Sequence, residues 1–378
     1  MKRIILLLMY AFIAGRVMNA QSSQPQLPDF IHTTYSVGGS LHNTKEIECS
    51  DYDTFQFIYL MAAPQWNEID FDISMDSIYQ HVNLFEYEKA PYGMTLVPQM
   101  INTAHEKGTR VLLSFAGEGF NAIVENTSRR KKFINYMIRL IDKHNYDGIE
   151  IDWETGVELG LHAIFIHEIR TELNKLSILK NKYYYLTTAL HYFQRYDQKL
   201  ANKVSKDVDW INIMTYDMGG GIWGNTATHN TPLAEIKTSL EHWKVFSPKQ
   251  LCIGLANYGF RYKNIMPGQK IEGKLNQYGQ YFSYNDFLPL LNQGWKEEYD
   301  KTEQVSYYFS PDRKEFITME NPSTILEKIK WITQQGYRGV FWWEFHYDFI
   351  LPDDSATKGK HHLIDIVSGY LKPKSSVQ

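Results

Sequence analysis

The stretch Asp147-Gly-Ile-Glu-Ile-Asp-Trp-Glu154 is the most informative part of this chain, because it combines a predicted strand with a cluster of acids. The residues from Tyr146 to Ile151 favour a β-strand, and successive side chains of a strand point to opposite faces. Glu150, Asp152 and Glu154 therefore share one face, while two isoleucines and a tryptophan share the other. A surface strand gains nothing from stacking like charges in this way.

Carboxylates that lie so close together cannot all ionise without cost. We expect the acidic trio to titrate as a unit and to keep a proton near neutral pH. A protonated carboxyl beside ionised ones is suited to general acid catalysis. A solvated edge strand and a set of oxygen ligands for a hard cation are the alternatives.

Short apolar strands alternate with helical patterns along most of the chain. The predicted strands are 30–36, 55–63, 110–115, 147–153, 183–190, 208–215, 251–257 and 339–343. The helical stripes between them repeat with a period near 3.6 residues, and Asn321-Pro322 is typical of a helix start. This α/β alternation predicts a closed (β/α)8 TIM barrel. A doubly wound open sheet is the alternative, but no glycine-rich phosphate loop follows the first strand.

The chain divides into a leader, a barrel and an insertion. Residues 1–20 carry Lys2 and Arg3 before a short apolar run, which predicts an export signal peptide. Residues 25–260 and 319–372 form the predicted barrel. Residues 261–318, rich in Tyr, Gly, Lys and Asn, interrupt its rhythm and are predicted to be a small α+β insertion between strands 7 and 8.

Composition narrows the function classes. Hydrophobic residues make up 43% of the 378-residue chain, which is enough for a sizeable core, and the formal net charge is −4. No basic cluster favours nucleic acid as a partner, and no apolar run beyond the leader is long enough to span a membrane.

Cys49 and Cys252 are the two cysteines. Cys252 lies in an apolar strand and is expected to be a buried free thiol, with a disulfide as the alternative.

The predicted barrel brings distant residues to one mouth, because such barrels place active residues at the carboxyl ends of their strands. Glu154 follows the fourth strand, Tyr216 and Asp217 end the sixth, Trp343 ends the eighth, and Ser114 ends the third. These side chains are therefore candidates for one site.

With these motifs in order, the chain resembles the chitinases of glycoside hydrolase family 18. The resemblance rests on Ser114-Phe-Ala-Gly117, the acidic stretch 147–154, Met214-Thr-Tyr-Asp217, Gly254-Leu-Ala-Asn-Tyr-Gly259 and Gly339-Val-Phe-Trp-Trp-Glu344. Phe282-Ser-Tyr and Phe316-Ile-Thr-Met resemble pieces of the chitinase insertion domain.

The resemblance implies a retaining, substrate-assisted glycosidase without metal or cofactor, acting on N-acetylglucosamine (GlcNAc) polymers or oligomers. Glu154 would be the general acid, Asp152 and Tyr216 would serve the substrate's acetamido group, and Glu150 would share a proton with Asp152. The substrate-binding candidates are Asp147, Ser114, Met214, Asp217, Tyr258, Trp343, Trp223 and Trp66. Packing is the alternative for Met214, Trp66 and Trp223, and support of the acidic cluster is the alternative for Asp147.

Two departures from the family pattern bear on activity. Glu150 stands where the family usually has Asp, so its extra methylene threatens to displace Asp152. Ala116 replaces the first glycine of the usual pair, and Glu118 stands where many chitinases have a stacking Trp, which predicts altered subsites.

Three other functions stay open on the sequence. An endo-β-N-acetylglucosaminidase acting on N-glycan cores would use the same chemistry, and a non-catalytic glycan-binding protein would use the same cleft. A metal-dependent sugar isomerase would use the carboxylates but would leave Tyr216 and Trp343 without a role. In each case we expect an exported monomer.

Overall fold

Seven parallel strands alternate with helices in the first two thirds of the chain. The computed structural model describes residues 25–37, 44–72, 93–220, 225–273, 279–354 and 357–372. The strands are β1 (Ile31–Val37), β2 (Phe57–Ala62), β3 (Arg110–Phe115), β4 (Gly148–Asp152), β5 (Tyr185–His191), β6 (Trp210–Met214) and β7 (Leu251–Ala256). The helices are α1 (Thr44–Cys49), α2 (Gly93–Glu106), α3 (Phe120–Val124), α4 (Thr127–Lys143), α5 (Leu159–Lys180), α6 (Gln198–Asp207) and α7 (Leu233–Ser239).

A five-stranded antiparallel sheet with one helix follows β7. It consists of β8 (Tyr258–Lys263), β9 (Gly279–Ser283), α8 (Tyr284–Leu291), β10 (Lys296–Asp300), β11 (Val305–Phe309) and β12 (Glu315–Thr318). The strand order is β10-β11-β12-β8-β9. Since β8 begins one residue after Asn257, the sheet is built directly onto the end of a barrel strand. The domain boundaries predicted at residues 261 and 318 stay predictions.

The eighth barrel strand comes after this insertion. Helix α9 (Pro322–Gln334) leads to β13 (Gly339–Trp343), and a short ribbon of β14 (Phe349–Ile350) and β15 (Lys360–His361) precedes α10 (Ile364–Leu371). β13 pairs in parallel with both β1 and β7 and closes the barrel. The predicted (β/α)8 barrel with its insertion is confirmed, and the open-sheet alternative is wrong.

Local sequence explains where helices begin. Asn321 accepts hydrogen bonds from the backbone N–H groups of Ser323 and Thr324, and Pro322 occupies the first turn of α9. Asn126 caps α4 in the same way. Such caps satisfy backbone donors that have no partner within the helix. The predicted start at Asn321-Pro322 is confirmed.

Two hydrophobic cores lie on the two sides of the barrel wall. The outer core, between strands and helices, contains Ile149, Ile151 and Trp153 from β4 and the residue that follows it. The inner core fills the barrel with aromatic side chains. Trp342 belongs to the outer core, whereas Trp343 packs against the inner one. The predicted alternation of faces is therefore confirmed for both strands, and it turns the acids of β4 inward.

Both cysteines are free and buried, as expected for Cys252. Within the described parts of the chain, no helix combines the length and the apolar character needed to cross a bilayer. The predicted leader at residues 1–20 lies outside the described residues.

Candidate active site

The acidic residues of the fourth strand lie at successive heights inside the barrel. Glu150 and Asp152 are part of β4, and Glu154 lies just past its carboxyl end. β4 pairs with β5, and β5 with β6, so the residues that end these three strands are neighbours. This arrangement places one acid deep in the barrel, one near its mouth and one at the mouth.

Glu150 is the deepest acid and is fully buried. Its Oε1 atom accepts a hydrogen bond from Asn212 Nδ2 at 2.6 Å and one from Thr187 Oγ1 at 3.3 Å. Burial raises the pKa of Glu150 to about 7, and the polar groups around it offset only part of that rise. Because β5 lies between β4 and β6, this carboxyl contacts a residue two strands away in the barrel.

Asp152 lies one step nearer the mouth and is 2% exposed. Burial, with the charges of Glu154 and Glu150, raises its pKa well above the usual range. Within the described residues, Asp152 Oδ1 and Glu150 Oε2 have no donor at full hydrogen-bond distance. The hydroxyls of Tyr35 and Ser114 nevertheless lie close enough to Glu150 to oppose the rise in its pKa. Two buried carboxyl oxygens in this state favour retention of a proton by the pair.

Glu154 is the acid that faces the open mouth. Its side chain is 34% exposed, and its Oε2 atom lies 3.7 Å from His191 Nε2. Burial raises the pKa of Glu154 to about 7, and the charges of Asp217 and Glu118 add to the rise. A carboxyl that holds a proton near neutral pH and still reaches solvent can donate it to a bound molecule.

Tyr216 and Asp217 follow β6 and close one side of the mouth. Tyr216 is 6% exposed, and its pKa is raised well above its usual value by burial and by the charges of Asp152 and Asp217. The phenol therefore stays a hydrogen-bond donor. Asp217 has a φ of 57°, and its backbone N–H donates to Asn230 Oδ1 at 2.7 Å.

The carboxylate of Asp217 is held by two tyrosines of the insertion. Tyr258 donates to Oδ1 at 2.6 Å, and Tyr281 donates to Oδ2 at 3.4 Å. Burial raises the pKa of Asp217 to about 6 despite these donors. Tyr281 is 49% exposed, so the insertion contributes a polar-tipped aromatic surface beside the mouth.

Trp343 ends β13, which lies across the closed barrel from β4 and its acids. Its ring is partly buried and lies 5.6 Å from that of Tyr35. Met214, at the end of β6, is 5% exposed and packs in the inner core. The structure thus brings Glu150, Asp152, Glu154, Tyr216, Asp217, Tyr258, Met214 and Trp343 to one end of the barrel.

Three predicted substrate-binding residues do not fit that role. Asp147 precedes β4 and lies at the opposite end of the barrel, where it pairs with His105 at 2.7 Å and Lys182 at 2.9 Å. Trp66 is fully buried between strands and helices, with its ring 5.1 Å from that of Phe133, so its faces are covered. Ser114 is fully buried beside Glu150 in the barrel interior, below the mouth. Trp223 lies outside the described residues.

Sequence reasoning missed three neighbours of the acids. Asn212 lies two residues before Met214 on the inner face of β6, so strand alternation could have identified it. His191 ends β5, and the rule about carboxyl ends applies to it directly. Nothing in the sequence singles out Tyr281, because its approach depends on how the insertion folds over the mouth.

The described residues contain no group of three or more His, Cys, Asp or Glu side chains that could hold a metal ion. The acids of β4 follow one another along the strand and do not converge on one point. Their oxygens lie near amide and hydroxyl groups or near another acid.

Comparisons with known proteins agree with this fold. A solved class V chitinase mutant from Cycas revoluta, in complex with (GlcNAc)3, superposes with a TM-score of 0.72 at 16% identity, over 90% of this chain and 99% of that one. YKL-39, solved in the presence of chitooligosaccharides, superposes with a TM-score of 0.72 at 18% identity, over 91% of this chain and all of that one. These likenesses establish the fold.

Curated relatives are also chitinases by name. Chitinase A1 of Niallia circulans is 24% identical over 273 residues, which are 61% of this chain and 38% of that protein. The endochitinase of Brugia malayi is 24% identical over 303 residues, 71% of this chain and 59% of that protein. The chain thus matches less than two thirds of the length of either relative. The model of glycosyl hydrolases family 18 matches residues 48–348, and the chain belongs to that family.

Proposed function

We propose that the chain hydrolyses β-1,4 linkages between GlcNAc units of chitin or chitooligosaccharides, with retention of configuration and with Glu154 as general acid and base. The observation that carries the proposal is the position of Glu154, a partly exposed carboxyl at the mouth that follows the buried Glu150 and Asp152 of β4. The relatives named as chitinases support the choice of substrate.

In the first step Glu154 gives its proton to the glycosidic oxygen. The nucleophile is the acetamido carbonyl oxygen of the substrate, which attacks C1 as the leaving sugar departs and forms an oxazolinium ion. Asp152 lies directly below Glu154, where its carboxyl can accept from the acetamido N–H and stabilise the developing positive charge.

In the second step the ionised Glu154 removes a proton from water. The water attacks C1 and reopens the ring, so both displacements together retain the configuration. Tyr216 stays protonated because burial and the neighbouring acids raise its pKa, and it can therefore donate to the acetamido oxygen in both steps.

Binding falls to groups around the mouth. Asp217 is fixed by Tyr258 and can accept from sugar hydroxyls, while Trp343 offers an indole to the apolar face of a sugar ring. Glu118 is exposed near the mouth and accepts a hydrogen bond from Thr155 Oγ1 at 3.0 Å. It adds an acidic group to the part of the mouth that follows β3.

The test is a product assay on chitotetraose between pH 4 and 8. Glu154→Gln should lower kcat by about 10²- to 10⁴-fold, the usual contribution of a general acid, and should still bind the oligomer in calorimetry. The exposed Glu125→Gln is the matched control and should behave like wild type.

Two other outcomes would replace the proposal. Binding without turnover by wild type would identify a glycan-binding protein. Release of intact glycans from a glycoprotein, with chitotetraose untouched, would identify an endo-β-N-acetylglucosaminidase.

We further propose that the protein is exported, on the basis of Lys2, Arg3 and the apolar run after them. Sequencing the amino terminus of protein recovered outside the cytoplasm should give Gln21 as the first residue. A mature protein that still begins at Met1 would contradict export by cleavage.

A further inference from the structure

His191 occupies a fixed position at the mouth of the barrel. It is the last residue of β5, and its side chain is 4% exposed. Its backbone N–H donates to Gln194 Oε1 at 3.0 Å. Its ring stacks on Phe193, with the centroids 4.8 Å apart and the planes 12° from parallel. The backbone contact and the stacking together restrict where the imidazole can point.

The imidazole points at the carboxyl of Glu154. His191 Nε2 lies 3.7 Å from Glu154 Oε2, which is roughly 0.5 Å beyond a hydrogen bond. A small rotation of the partly exposed Glu154 side chain would close that gap. The proposed reaction requires Glu154 to be protonated in one state and ionised in the next. The strength of a hydrogen bond from His191 to Glu154 therefore differs between the two states.

The other titratable groups of the described residues that are seen to interact with Glu154 are acids and phenols. Asp217 follows β6, Glu118 follows β3, and Asp152 lies on the same strand. All three disfavour an ionised Glu154. The phenols of Tyr216 and Tyr281 also feel its charge. A hydrogen-bond donor on the β5 side would favour the ionised form of Glu154 and so oppose the effect of the acids.

The chemistry of His191 suits that task. Burial lowers the pKa of His191 to about 4, so the imidazole is neutral in the range where Glu154 changes its charge. In the tautomer with the proton on Nε2, the ring donates to a carboxylate without adding a net charge. Hydrogen bonds to ionised acceptors are about twice as strong as neutral ones.

We propose that His191 is a positioning residue for Glu154, whose Nε2–H receives the carboxylate whenever Glu154 is ionised and keeps it directed into the mouth. The inference rests on the proposed function and adds a residue to it. The ring touches Glu154 and acts through it, and no proton leaves His191 in either step.

Two variants separate this role from simple packing. His191→Gln keeps an N–H donor at a similar reach, whereas His191→Met keeps the length and removes the donor. The matched control is His162→Met. His162 is also buried with a pKa lowered to about 4, but its nitrogens contact Thr188 at 3.0 Å and Tyr196 at 3.1 Å, with no contact to a site acid.

The measurement is the pH profile of kcat/KM on chitotetraose, with circular dichroism as a check of folding. Loss of the donor disfavours the carboxylate, so His191→Met should move the alkaline limb upward by about 0.5 to 1 pH unit. It should also lower kcat by about tenfold with little change in KM. His191→Gln should keep the limb of wild type, and His162→Met should leave it in place.

An active wild type whose alkaline limb is unchanged in His191→Met would overturn this inference alone. Equal shifts in the Met and Gln variants would do the same, because the donor would then be irrelevant. A wild type without turnover would overturn the proposed function, and this inference with it. Should His191→Met fail to fold, His191→Asn, whose amide is too short to reach Glu154, carries the same expectation.

Discussion

Replacing Glu150 by glutamine should remove a pH-dependent cost to folding. Glu150 is fully buried in the barrel, and its Oε2 atom has no donor at full hydrogen-bond distance in the part of the chain that the structure describes. The nearby hydroxyls of Tyr35 and Ser114 offset only part of the rise in its pKa. Glutamine has nearly the same shape and resembles the protonated acid. Its carbonyl can take over the hydrogen bond from Asn212 Nδ2, which measures 2.6 Å in the wild-type structure.

The magnitude follows from the pKa of Glu150. Burial raises it from 4.5 to about 7, and at about 1.4 kcal/mol for each pH unit this corresponds to about 3 kcal/mol. Between these two values the folded state binds more protons than the unfolded state. The free energy of unfolding of wild type therefore falls as the pH rises from about 4.5 to 7, and this contribution is constant outside that window.

Urea unfolding at pH 4, 6 and 8 measures the effect as a difference between variant and wild type. At pH 4 the two proteins should have similar stability, and at pH 8 Glu150→Gln should be the more stable by about 3 kcal/mol. Glu298→Gln is the control. Its carboxyl is exposed beside Arg313, which holds its pKa low, so Glu298→Gln should lose rather than gain stability relative to wild type as the pH rises. A difference for Glu150→Gln that stays within about 0.5 kcal/mol from pH 4 to 8 would refute the reasoning.

Three further changes separate the mouth from the rest of the barrel. Tyr258→Phe removes the donor at 2.6 Å from Asp217 and should lower the free energy of unfolding in urea by about 1.5 to 3 kcal/mol. It should also lower kcat/KM, because Asp217 loses its orientation. An unchanged kcat/KM would contradict the role given to Asp217. Trp66→Ala should destabilise the fold by about 3 to 5 kcal/mol and leave the KM of the folded protein unchanged. Trp343→Ala should instead raise KM about tenfold. The reverse pattern in steady-state kinetics would restore Trp66 as a sugar platform. Asp147→Asn should destabilise by about 3 kcal/mol at pH 7. This loss should shrink as the pH falls below 3.8, because the lowered pKa of Asp147 gives stability above its unfolded value that is lost as the pH falls. A changed KM would contradict its place at the far end of the barrel.

The strands could be predicted because buried parallel strands are continuous apolar runs. The prediction of 110–115 matches β3 at both ends, and 339–343 matches β13. The eight runs then select a barrel, and the barrel rule selects the mouth. From the sequence it was therefore possible to bring Glu154, Asp217 and Trp343 together, although they lie far apart along the chain.

The failures arise where a strand boundary or a turn decides the position of a side chain. The predicted fourth strand includes Asp147 at its amino end, and that end faces away from the mouth. The predicted fifth strand stops at Leu190, one residue before His191, which hid the histidine. Trp66 follows β2 as a mouth residue would, but the chain then folds outward and packs the indole against Phe133. Tertiary packing made that choice, and no local signal encodes it.

The two ends of the barrel respond to pH in opposite ways. From the interior up to the mouth, burial raises the pKa values of Glu150, Asp152 and Glu154, so ionising them weakens the fold. At the far end, His105 and Lys182 lower the pKa of Asp147, so ionising it strengthens the fold.

A second stabilising group lies beside the β14–β15 ribbon. There the buried His361 bridges Asp348 at 2.9 Å and Asp51 at 3.1 Å. The two aspartates raise the pKa of His361 to about 10 although burial opposes them. The histidine therefore stays charged near neutral pH, and its contribution to stability falls as the pH rises from 6.5, its ordinary pKa, to about 10.

This division explains how one fold can keep several acids in an unfavourable state. The acids that must hold a proton for catalysis are surrounded by aromatic side chains and by each other. The groups that stabilise through charge lie elsewhere and have opposite charges directly beside them. Neutralising an acid at the mouth should therefore stabilise the protein as it removes activity, while neutralising Asp147 or Asp348 should destabilise it and leave the chemistry of the folded fraction intact.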